Sequence, residues 1–412
     1  MAKRAPHIIV AVTNDLATDQ RVDRTCRALV EAGWEVLLVG RRLPHSPDLA
    51  PRSYDTRRMR LLFRRSALFY AEYNIRLFLL LLVSCADAFF SNDTDTLAAC
   101  ILASRLRRKA LVFDAHELFP DVPELQGRPR VQAVWRWVER HSLPHVKVAF
   151  TVCQSVADEY RRRYGIAMTV VRNVPDRPPL APRKRPVPDP SHPAPRTLLY
   201  QGAVNLGRGI RELVDVLGLL PECRLVVAGD GDVLAQESRR AAALPWHDRV
   251  EFLGRVQPDR LRDLTATADL GLCLLEDLGL NYRYSLPNRI ADFANAGVPV
   301  LATDFPEIRR TLEEYRTGTL AEPLPCEKEG KAYEQYISRL AETIRETLRY
   351  WDTLPPDECR RRFERAGEEL NWQHEKHFLL NAFRALPPPQ TPPPNNTNPL
   401  YIHQLYIHSI YN

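Results

Sequence analysis

The sequence predicts an α/β protein built from two doubly wound domains that face each other across a central cleft. Short apolar runs alternate with amphipathic stretches in the first half of the chain, a proline-rich segment interrupts them, and the same alternation then starts again. Alternation of strands and helices is typical of parallel sheets with helices on both faces. Ligands bind such sheets at the carboxyl ends of the strands, so the residues that follow each strand are the candidate site residues.

Length and composition limit the possible classes of protein. Of the 412 residues, 45% are hydrophobic and 26% are charged, which excludes a fully disordered chain, a coiled coil and a collagen and suggests two or three globular domains. The eight cysteines are never closer than fifteen residues, so neither a zinc ribbon nor a CxxC redox site is expected. The first apolar run is too short for a signal peptide. We therefore expect a cytoplasmic protein with reduced core cysteines.

Five apolar runs in the first half are predicted to be buried strands. Amphipathic stretches such as Arg21–Ala32, which Gly33 ends, separate them. The first domain is placed at residues 1–174. Its predicted strands are Ile8–Val12, Val36–Val39, Ala88–Ser91, Leu111–Phe113 and Val148–Val152.

Positive charge is concentrated in the first half. Residues 1–200 carry 32 Lys and Arg against 20 Asp and Glu, whereas residues 201–412 carry 25 against 31, so the net charges are +12 and −6. Clusters at Arg52–Arg65, Arg105–Lys109 and Arg161–Arg163 are of the kind that attracts anionic surfaces such as acidic lipid. A solvated basic face is the alternative.

The most apolar segment, Phe69–Phe90, follows the first basic cluster. Polar or charged residues stand at 72, 74, 76 and 87, whereas a transmembrane helix needs about 20 nearly uncharged residues. We predict a buried helix rather than an interfacial one. The basic segment before it leaves a location at the inner face of a membrane open.

A linker separates the two halves. Nine prolines in the 21 residues from Pro175 to Pro195 are incompatible with a central strand or a helix interior, so residues 175–195 are predicted to be the linker. The second domain is placed at 196–371, a helix at 372–386 can dock back onto a domain, and 387–412 is predicted to be a disordered tail. The strands of the second domain are predicted at Leu198–Gln201, Leu225–Ala228, Val250–Leu253, Leu270–Leu275 and Pro299–Thr303.

Two glycine-containing loops follow the first two strands of the second domain. Glycines let the backbone approach a ligand, and the N-terminus of a following helix suits a phosphate. Arg208 adds a positive charge with a fork geometry, and tight turns are the alternative. The candidate ligand-binding residues are Gly202, Asn205, Gly207, Arg208 and Gly209 in the first loop and Gly229, Asp230 and Gly231 in the second.

The segment from Tyr284 to Val300 is predicted to hold a ribose and a diphosphate. Pro287 and Gly297 mark the two ends of a helix. Its residues at 288 and 292 share one face, and the arginine at 289 lies near the helix N-terminus, where an anion binds. A capped surface helix with an Arg–Asp pair is the alternative. The candidates are Tyr284, Ser285, Pro287, Asn288, Arg289 and Asp292.

Polar residues also follow two strands of the first domain. A histidine flanked by carboxylates at a strand end is typical of a site residue, although a structural role in the loop is the alternative. The candidates are His116, with Asp114 and Glu117 beside it, and Asn14, Asp15, Asp19 and Gln20 after the first strand. Asp93 and Asp95 match a DxD metal motif, but no third ligand stands nearby, so no metal is assigned.

These segments, taken in order, resemble the GT-B glycosyltransferases, and among them glycosyltransferase family 4. The resemblance covers about residues 7–385. Its motifs are Asn-Asp-x3-Asp-Gln-Arg at 14–21, Phe-Asp-Ala-His-Glu at 113–117, Val-Arg-Asn-Val-Pro at 171–175, Gly202 with Arg208-Gly209, Ala-Gly-Asp-Gly at 228–231, Val-Glu-Phe-Leu-Gly at 250–254 and Ser-Leu-Pro-Asn-Arg…Ala-Gly-Val-Pro-Val at 285–300.

The resemblance implies a retaining, metal-independent transfer of a sugar from a nucleoside diphosphate, with no further cofactor. It implies that the second domain holds the donor, that the first holds a glycan or lipid-linked acceptor, and that the final helix crosses back onto the first domain. It further implies catalytic roles for His116, Arg208 and Arg289. Surface polysaccharide or lipopolysaccharide synthesis is the expected pathway.

The sequence departs from the family at three places. In the usual Glu-x7-Glu motif, Tyr284 stands at the first glutamate and Asp292 at the second. In the usual basic pair, Ala203 stands at the arginine and Arg208 at the lysine. Residues 14–20 replace the usual Gly-Gly loop.

Two other functions remain open on the sequence. One is an isomerase resembling the UDP-N-acetylglucosamine 2-epimerases, which needs no acceptor. The other is a catalytically inactive sugar-nucleotide-binding partner, for which Tyr284 is the main argument. A nucleic-acid enzyme is not expected, because the basic clusters lack interleaved aromatic residues.

Overall fold

The structure, a computed structural model, describes residues 4–17, 19–176 and 195–386. The first domain contains a seven-stranded parallel sheet with the strand order 3-2-1-4-5-6-7. Backbone pairing is parallel throughout this sheet, so all its carboxyl ends lie at one edge. The strands are β1 His7–Asp15, β2 Glu35–Arg42, β3 Asp55–Arg60, β4 Ala88–Asn92, β5 Ala110–Ala115, β6 Val148–Thr151 and β7 Thr169–Val170.

Helices cover both faces of the first sheet. Apolar residues of the first helix pack on one face, and those of the next four pack on the other. The helices are α1 Gln20–Glu31, α2 Ser66–Val83, α3 Thr94–Arg107, α4 Pro129–Ser142 and α5 Gln154–Tyr164.

The second domain contains a six-stranded parallel sheet with the order 10-9-8-11-12-13. Its strands are β8 Arg196–Gln201, β9 Cys223–Ala228, β10 Val250–Gly254, β11 Leu270–Cys273, β12 Val300–Thr303 and β13 Gly318–Ala321. Its helices are α6 Ile210–Val216, α7 Leu234–Ala242, α8 Pro258–Thr267, α9 Leu280–Arg283, α10 Asn288–Asn295 and α11 Pro306–Tyr315.

Three further helices lead from the second domain back to the first: α12 Gly330–Thr353, α13 Pro356–Glu369 and α14 Trp372–Phe383. Apolar residues of α12 belong to the second-domain core. Residues of α14 instead belong to the core of the first domain, where the ring of Phe383 stacks on that of Phe150 at 5.8 Å. The predicted fold class, two doubly wound domains with a C-terminal helix that crosses back, is thereby confirmed.

Three strands were not predicted. Strand β3 is largely polar and mostly exposed, and β7 and β13 are short. All three lie at a sheet edge or next to the linker, where burial on both faces, the origin of a continuous apolar run, is absent. Most of the predicted linker and the whole predicted tail, 387–412, lie outside the described residues.

The apolar segment after the first basic cluster forms α2, but this helix is not the buried helix we expected. Only Phe69, Tyr73, Leu77 and Leu81 of its 18 residues are buried. These four are spaced one turn apart and form a single stripe on the sheet. The opposite side of α2 faces solvent although it is also apolar.

Candidate active site

Arg289 and the loop after β8 form the centre of the second-domain site. The guanidinium of Arg289 lies 4.3 Å above the ring of Tyr200. A Cβ atom on Gly202 would come within 3.1 Å of Arg289 Nη2, and Gly202 has a φ of +121°. Because a larger residue would be strained there and would press on the guanidinium, Gly202 allows Arg289 to reach the end of the strand.

Arg208 and Arg289 converge on the carboxyl end of β11. The guanidinium of Arg208 lies 4.6 Å from the centre of the Tyr282 ring. Burial raises the pKa of the Cys273 thiol, and the charges of both Arg289 and Arg208 partly offset that rise. Within the described part of the chain, Arg208 Nε and Arg289 Nη1 are buried without a hydrogen-bond partner. A buried cationic donor without a partner is costly, and an anionic oxygen would satisfy it.

The two glycine loops of the second domain pack directly against each other. The Val204 N–H donates to the Asp230 carbonyl at 3.0 Å. A Cβ atom on Gly229 would lie 1.7 Å from the Gly202 carbonyl oxygen, and one on Gly231 would lie 2.3 Å from Asn205 Oδ1. The glycines at 229 and 231 are therefore required for contact between the loops, independently of any ligand.

The remaining residues of these loops have local partners. Asn205 Oδ1 accepts from the Asp232 N–H at 3.4 Å, and Asp230 Oδ1 accepts from the Gly231 N–H at 2.9 Å. Gly207 and Gly209 both have a φ of +74° and lead into α6, which is only seven residues long. These two glycines lie at the carboxyl edge of the sheet, as the sequence predicts. Their contact with a bound ligand stays a prediction.

Asp292 faces the cleft from α10, which begins after Pro287. The Gln201 amide donates to Asp292 Oδ2 at 3.2 Å. Burial raises the pKa of Asp292 to about 6, although the Gln201 hydrogen bond and the charges of Arg24 and Arg289 act in the opposite direction. Arg24 belongs to α1, so the pKa of the Asp292 carboxyl group also depends on a charge of the first domain. Asn288, in the first turn of α10, is exposed.

Tyr284 and Ser285 contact protein groups instead of open space. Tyr284 packs against the apolar core of the first domain, and its carbonyl accepts from Cys153 Sγ at 3.0 Å. The Ser285 hydroxyl donates to the Tyr282 carbonyl at 2.8 Å. In this arrangement Tyr284 is an interdomain packing residue, and its donor contact stays a prediction.

His116 lies between two aspartates at the carboxyl edge of the first sheet. Its Nδ1 is 3.3 Å from Asp93 Oδ2 and its Nε2 is 3.3 Å from Asp114 Oδ2, the latter without hydrogen-bond geometry. Burial alone would lower the pKa of His116, but the negative charges of Asp93 and Asp114 outweigh it and raise the pKa to about 9. The imidazole is therefore protonated at neutral pH.

Asp114 is held inside the first domain and does not line a pocket. It is fully buried, and both its oxygens accept from Arg21, at 2.8 and 2.9 Å. Burial would raise its pKa, but Arg21 and His116 hold the pKa well below its usual range. For Asp93, burial raises the pKa despite the charge of His116. Asp114 is thus the ionised partner of His116, and the acceptor-side role expected for it has no support from the geometry.

A pocket of about 360 Å³ opens at the carboxyl edge of the first sheet. Of the predicted acceptor-side residues, Asn14 and Glu117 line it. Asp15 instead accepts from Ser46, and Asp19 caps α1 by accepting from the Val22 N–H. Gln20 is exposed at the start of α1. The other polar residues lining the pocket are Thr13, Arg41, Arg64, Arg65, Ser66, Tyr70, Asp93 and Asp95.

Asp93 and Asp95 both line that pocket. Asp95 accepts from the Thr13 hydroxyl, and burial raises its pKa to about 7 despite that hydrogen bond. Across residues 4–17, 19–176 and 195–386, no three His, Cys, Asp or Glu side chains form a cluster suited to a metal ion.

Asn281, which no motif in the sequence indicated, bridges the two domains. Its Oδ1 accepts from the Leu118 N–H at 3.0 Å, and its Nδ2 donates to Glu117 Oε2 at 3.2 Å. Burial raises the pKa of Glu117, against the Asn281 bond and the charge of Arg208. Arg41, also missed, lies at the carboxyl end of β2, where it pairs with Asp15 of β1. It follows the apolar run Val36–Val39, so the rule used for Asn14 would have found it.

Two sequence families match the chain in succession. Glycosyltransferase Family 4 matches residues 19–177, and Glycosyl transferases group 1 matches residues 195–342. No curated protein matches the sequence. Together the two matches cover every strand of both sheets except β1. The chain therefore belongs to the GT-B glycosyltransferases of the family 4 type, and its activity is glycosyl transfer.

Solved structures agree with this fold. Sucrose-phosphate synthase from Thermosynechococcus elongatus has a TM-score of 0.68 at 18% identity, covering 92% of this chain and 98% of that one. A glycosyltransferase from Rickettsia africae has a TM-score of 0.69 at 13% identity, with 93% and 98% covered. Anabaena HepE in complex with UDP-glucose has a TM-score of 0.64 at 14% identity, with 92% and 100% covered.

Proposed function

We propose that this glycosyltransferase moves a sugar from a nucleoside-diphosphate sugar to a glycan or lipid-linked acceptor, with retention and without a metal ion. The observation that carries the proposal is the pair of guanidinium groups of Arg208 and Arg289, each with one buried nitrogen that lacks a partner within the described chain. Two such cations at one sheet edge fit a diphosphate. The UDP-glucose complex of HepE supports this class of donor.

In the proposed reaction the bond from C1 of the sugar to the diphosphate oxygen breaks, and a bond from C1 to the acceptor oxygen forms on the same face. The acceptor hydroxyl proton goes to the leaving diphosphate, whose charge Arg208 and Arg289 neutralise. Asp292 accepts from the ribose hydroxyls. No bound cofactor takes part, and the protein contributes mainly orientation and charge stabilisation.

His116 enters this proposal as a hydrogen-bonding group on the transferred sugar. Its protonated ring, held between Asp93 and Asp114 at 3.3 Å from each, is a donor and not a nucleophile. The first-domain pocket, at the same edge, is the proposed acceptor site. We place the enzyme in the cytoplasm, at the inner face of the membrane, in surface polysaccharide or lipopolysaccharide synthesis.

The first test is a thermal-shift screen against UDP-, GDP- and ADP-sugars. A donor at about 100 times its Kd stabilises the folded protein by about 2.7 kcal/mol, so one base should raise the melting temperature clearly above the others. The anomeric configuration of the product then tests retention, and activity in excess chelator tests metal independence.

Two experimental outcomes would contradict the proposal and favour another function. Turnover of the donor without any acceptor would favour an isomerase; a Listeria monocytogenes structure titled as a putative UDP-N-acetylglucosamine 2-epimerase shares the fold at a TM-score of 0.59. Donor binding without transfer to any glycan or lipid acceptor would instead indicate an inactive partner subunit.

A further inference from the structure

The outward surface of the first domain is apolar on the side covered by α2. On this helix the side chains of Leu68, Ile75, Leu79 and Val83 are 55–73% exposed. They lie on one stripe, opposite the four residues that pack on the sheet. A helix that is apolar on all sides is normally covered on all sides, so the outward stripe lacks its partner.

The stripe continues onto α3 and α4, which lie beside α2 on the same face of the sheet. Leu106 on α3 is 68% exposed, and Trp137 on α4 is 60% exposed. An edge contact between Tyr70 and Trp135, with ring centres 5.1 Å apart, joins α2 to α4 directly. We call the exposed side of these three helices the outer face. An apolar surface spread over three helices is typical of an interaction site.

The charge of the outer face indicates which kind of partner it binds. Every charged residue among the exposed positions of α2, α3 and α4 is basic, including Arg76, Arg105, Arg130 and Arg140. The one acidic residue of α2 that is not buried, Glu72, accepts from the backbone N–H groups of residues 62 and 63 and pairs with Arg76 at 2.6 Å, so its charge is offset locally. A second copy of this face would repel the first, whereas an anionic surface would attract it.

We propose that the outer face docks on an anionic lipid bilayer, with α2 lying in the plane of the interface. Among the described helices, α2 has the length and composition to span a membrane, but its inner stripe is part of the domain core, so it can lie only on the surface. Apolar side chains on one side with arginines around them are typical of interfacial helices.

The docking face and the acceptor pocket share residues. Arg64, Arg65 and Ser66, which line the pocket, immediately precede or begin α2. A protein lying on its outer face would therefore hold the pocket beside the lipid headgroups. This step rests on the proposed function, because it names a membrane lipid as the carrier of the acceptor; docking itself does not depend on glycosyl transfer.

The test is co-sedimentation of the full chain with vesicles of phosphatidylcholine alone and of phosphatidylcholine with phosphatidylglycerol. We expect binding to the anionic vesicles that weakens as salt increases. Ile75→Glu with Leu79→Glu removes two anchors and adds two negative charges, and should lower the partition coefficient by about 100-fold or more. Arg105→Glu with Arg130→Glu should lower it by about 20-fold or more.

The matched control is Leu219→Glu, an exposed leucine of the second domain with 44% exposure, which should bind as the wild type does. Quenching of Trp137 by brominated lipid, lost in Trp137→Phe, would place α4 in the interface. Circular dichroism and the donor-induced thermal shift, unchanged in all variants, separate lost docking from lost folding and from failure of the proposed function.

Three results would overturn the inference. The first is equal binding of the wild type and the Ile75/Leu79 variant to anionic vesicles. The second is absence of wild-type binding to those vesicles at low salt. The third is a concentration-dependent dimer that the same two substitutions dissociate, which would assign the outer face to a second copy of the chain.

Discussion

Asp292 and His116 both have raised pKa values, with opposite consequences for their charge. The pKa of Asp292, raised to about 6 by burial, leaves it mainly ionised at neutral pH. The pKa of His116, raised to about 9 by Asp93 and Asp114 against the effect of burial, leaves it protonated. At neutral pH, Asp292 therefore carries a negative charge, and His116 carries a positive charge between Asp93 and Asp114.

The pH dependence of donor binding should report the Asp292 carboxylate. Binding of a nucleoside-diphosphate sugar, measured by calorimetry, should weaken about tenfold between pH 7 and pH 5 as this group is protonated. Asp292→Asn should bind about tenfold or more weakly at pH 7, because it loses charge-assisted bonds, and should lack that pH dependence. An equal pH dependence in both proteins would exclude a role for this carboxylate.

The raised pKa of Asp292 also affects the free protein. The folded state holds this proton more tightly than the unfolded chain does, so the associated stability is present below about pH 4 and is lost as the pH rises through about 6. Asp292→Asn should therefore melt at the same or a higher temperature than the wild type at pH 7. The variant thus separates loss of donor binding from loss of folding.

Arg208→Ala should lower kcat and kcat/KM together by about 100-fold or more, because it removes charge stabilisation that acts mainly in the transition state. The control is Arg211→Ala, three residues later, where the side chain pairs with Asp215 and Glu329. A variant of Arg208 with nearly wild-type kcat/KM would refute its role.

His116→Ala distinguishes a catalytic histidine from one that only holds the loop. The catalytic role predicts a large fall in the kcat of the folded protein, with the fold and the donor Kd retained. A structural role predicts the reverse: lower stability and normal turnover of the folded protein. In the wild type, the stability that the imidazolium supplies is present below about pH 6.5 and is lost as the pH rises through about 9, a dependence that the variant should lack.

Among the helices, α14 attaches the end of the described chain to the first domain through a nearly buried ion pair. Arg172 Nε donates to Glu375 Oε1 at 2.6 Å, and Glu375 is 2% exposed. Removing one partner of such a pair costs about 3–5 kcal/mol. Arg172→Ala should therefore lower the melting temperature by roughly 5–10 °C in calorimetry.

An exposed ion pair on the same helix provides the control. Lys376 Nζ lies 2.7 Å from Glu31 Oε2 and also joins α14 to α1, but Glu31 is 58% exposed. Lys376→Ala should change the stability by less than about 1 kcal/mol. Similar effects of the two substitutions would mean that the Arg172–Glu375 pair does not anchor the helix.

The strands show what could be predicted from this sequence. All ten apolar runs became strands. Nine of them are central strands of a parallel sheet, which are buried on both faces, and the tenth, β10, lies at a sheet edge. Strand β3, with the sequence Asp-Thr-Arg-Arg-Met-Arg, lies at the edge and carries no such signal. For α2 the apolar run predicted the helix but not its exposed side, because a run without periodicity does not show which face is covered.

The site residues were predictable where they follow a strand and not where their partners are remote in sequence. Gly202 and Gln201, at the end of β8, contact Arg289 and Asp292 of α10, respectively. Asp114 also follows a strand, but it pairs with Arg21, 93 residues earlier. Asn281 contacts Glu117 and Leu118, 164 and 163 residues earlier, and no local pattern reveals such a contact.

At the scale of the whole molecule, the two domains meet through a few directional bonds. Glu307 Oε1 accepts from the Ser155 N–H at 2.7 Å and from the Ser155 hydroxyl at 2.6 Å. These bonds join α11 to α5. Since interdomain contacts of this kind hold a relative orientation, their loss should make the protein more open.

Glu307→Ala should increase the radius of gyration measured by small-angle X-ray scattering in the absence of donor. Glu313→Ala is the control, because Glu313 lies on the same helix, is 60% exposed and pairs only locally with Arg309. Saturating donor should return the Glu307 variant toward the wild-type value. Identical scattering of all three proteins would show that the Ser155–Glu307 contact does not set the domain arrangement.

The return of α14 to the first domain has a consequence for synthesis on the ribosome. The apolar core under α1 contains residues from Ile8 to Val171 and then Trp372, Leu379 and Phe383. At about 5–20 residues per second, translation of the roughly 200 intervening residues takes about 10–40 s. During that time the nascent first domain exposes the surface that α14 later covers, so a polypeptide stalled before Trp372 should bind a hydrophobic dye or a chaperone, and one released after Leu386 should not.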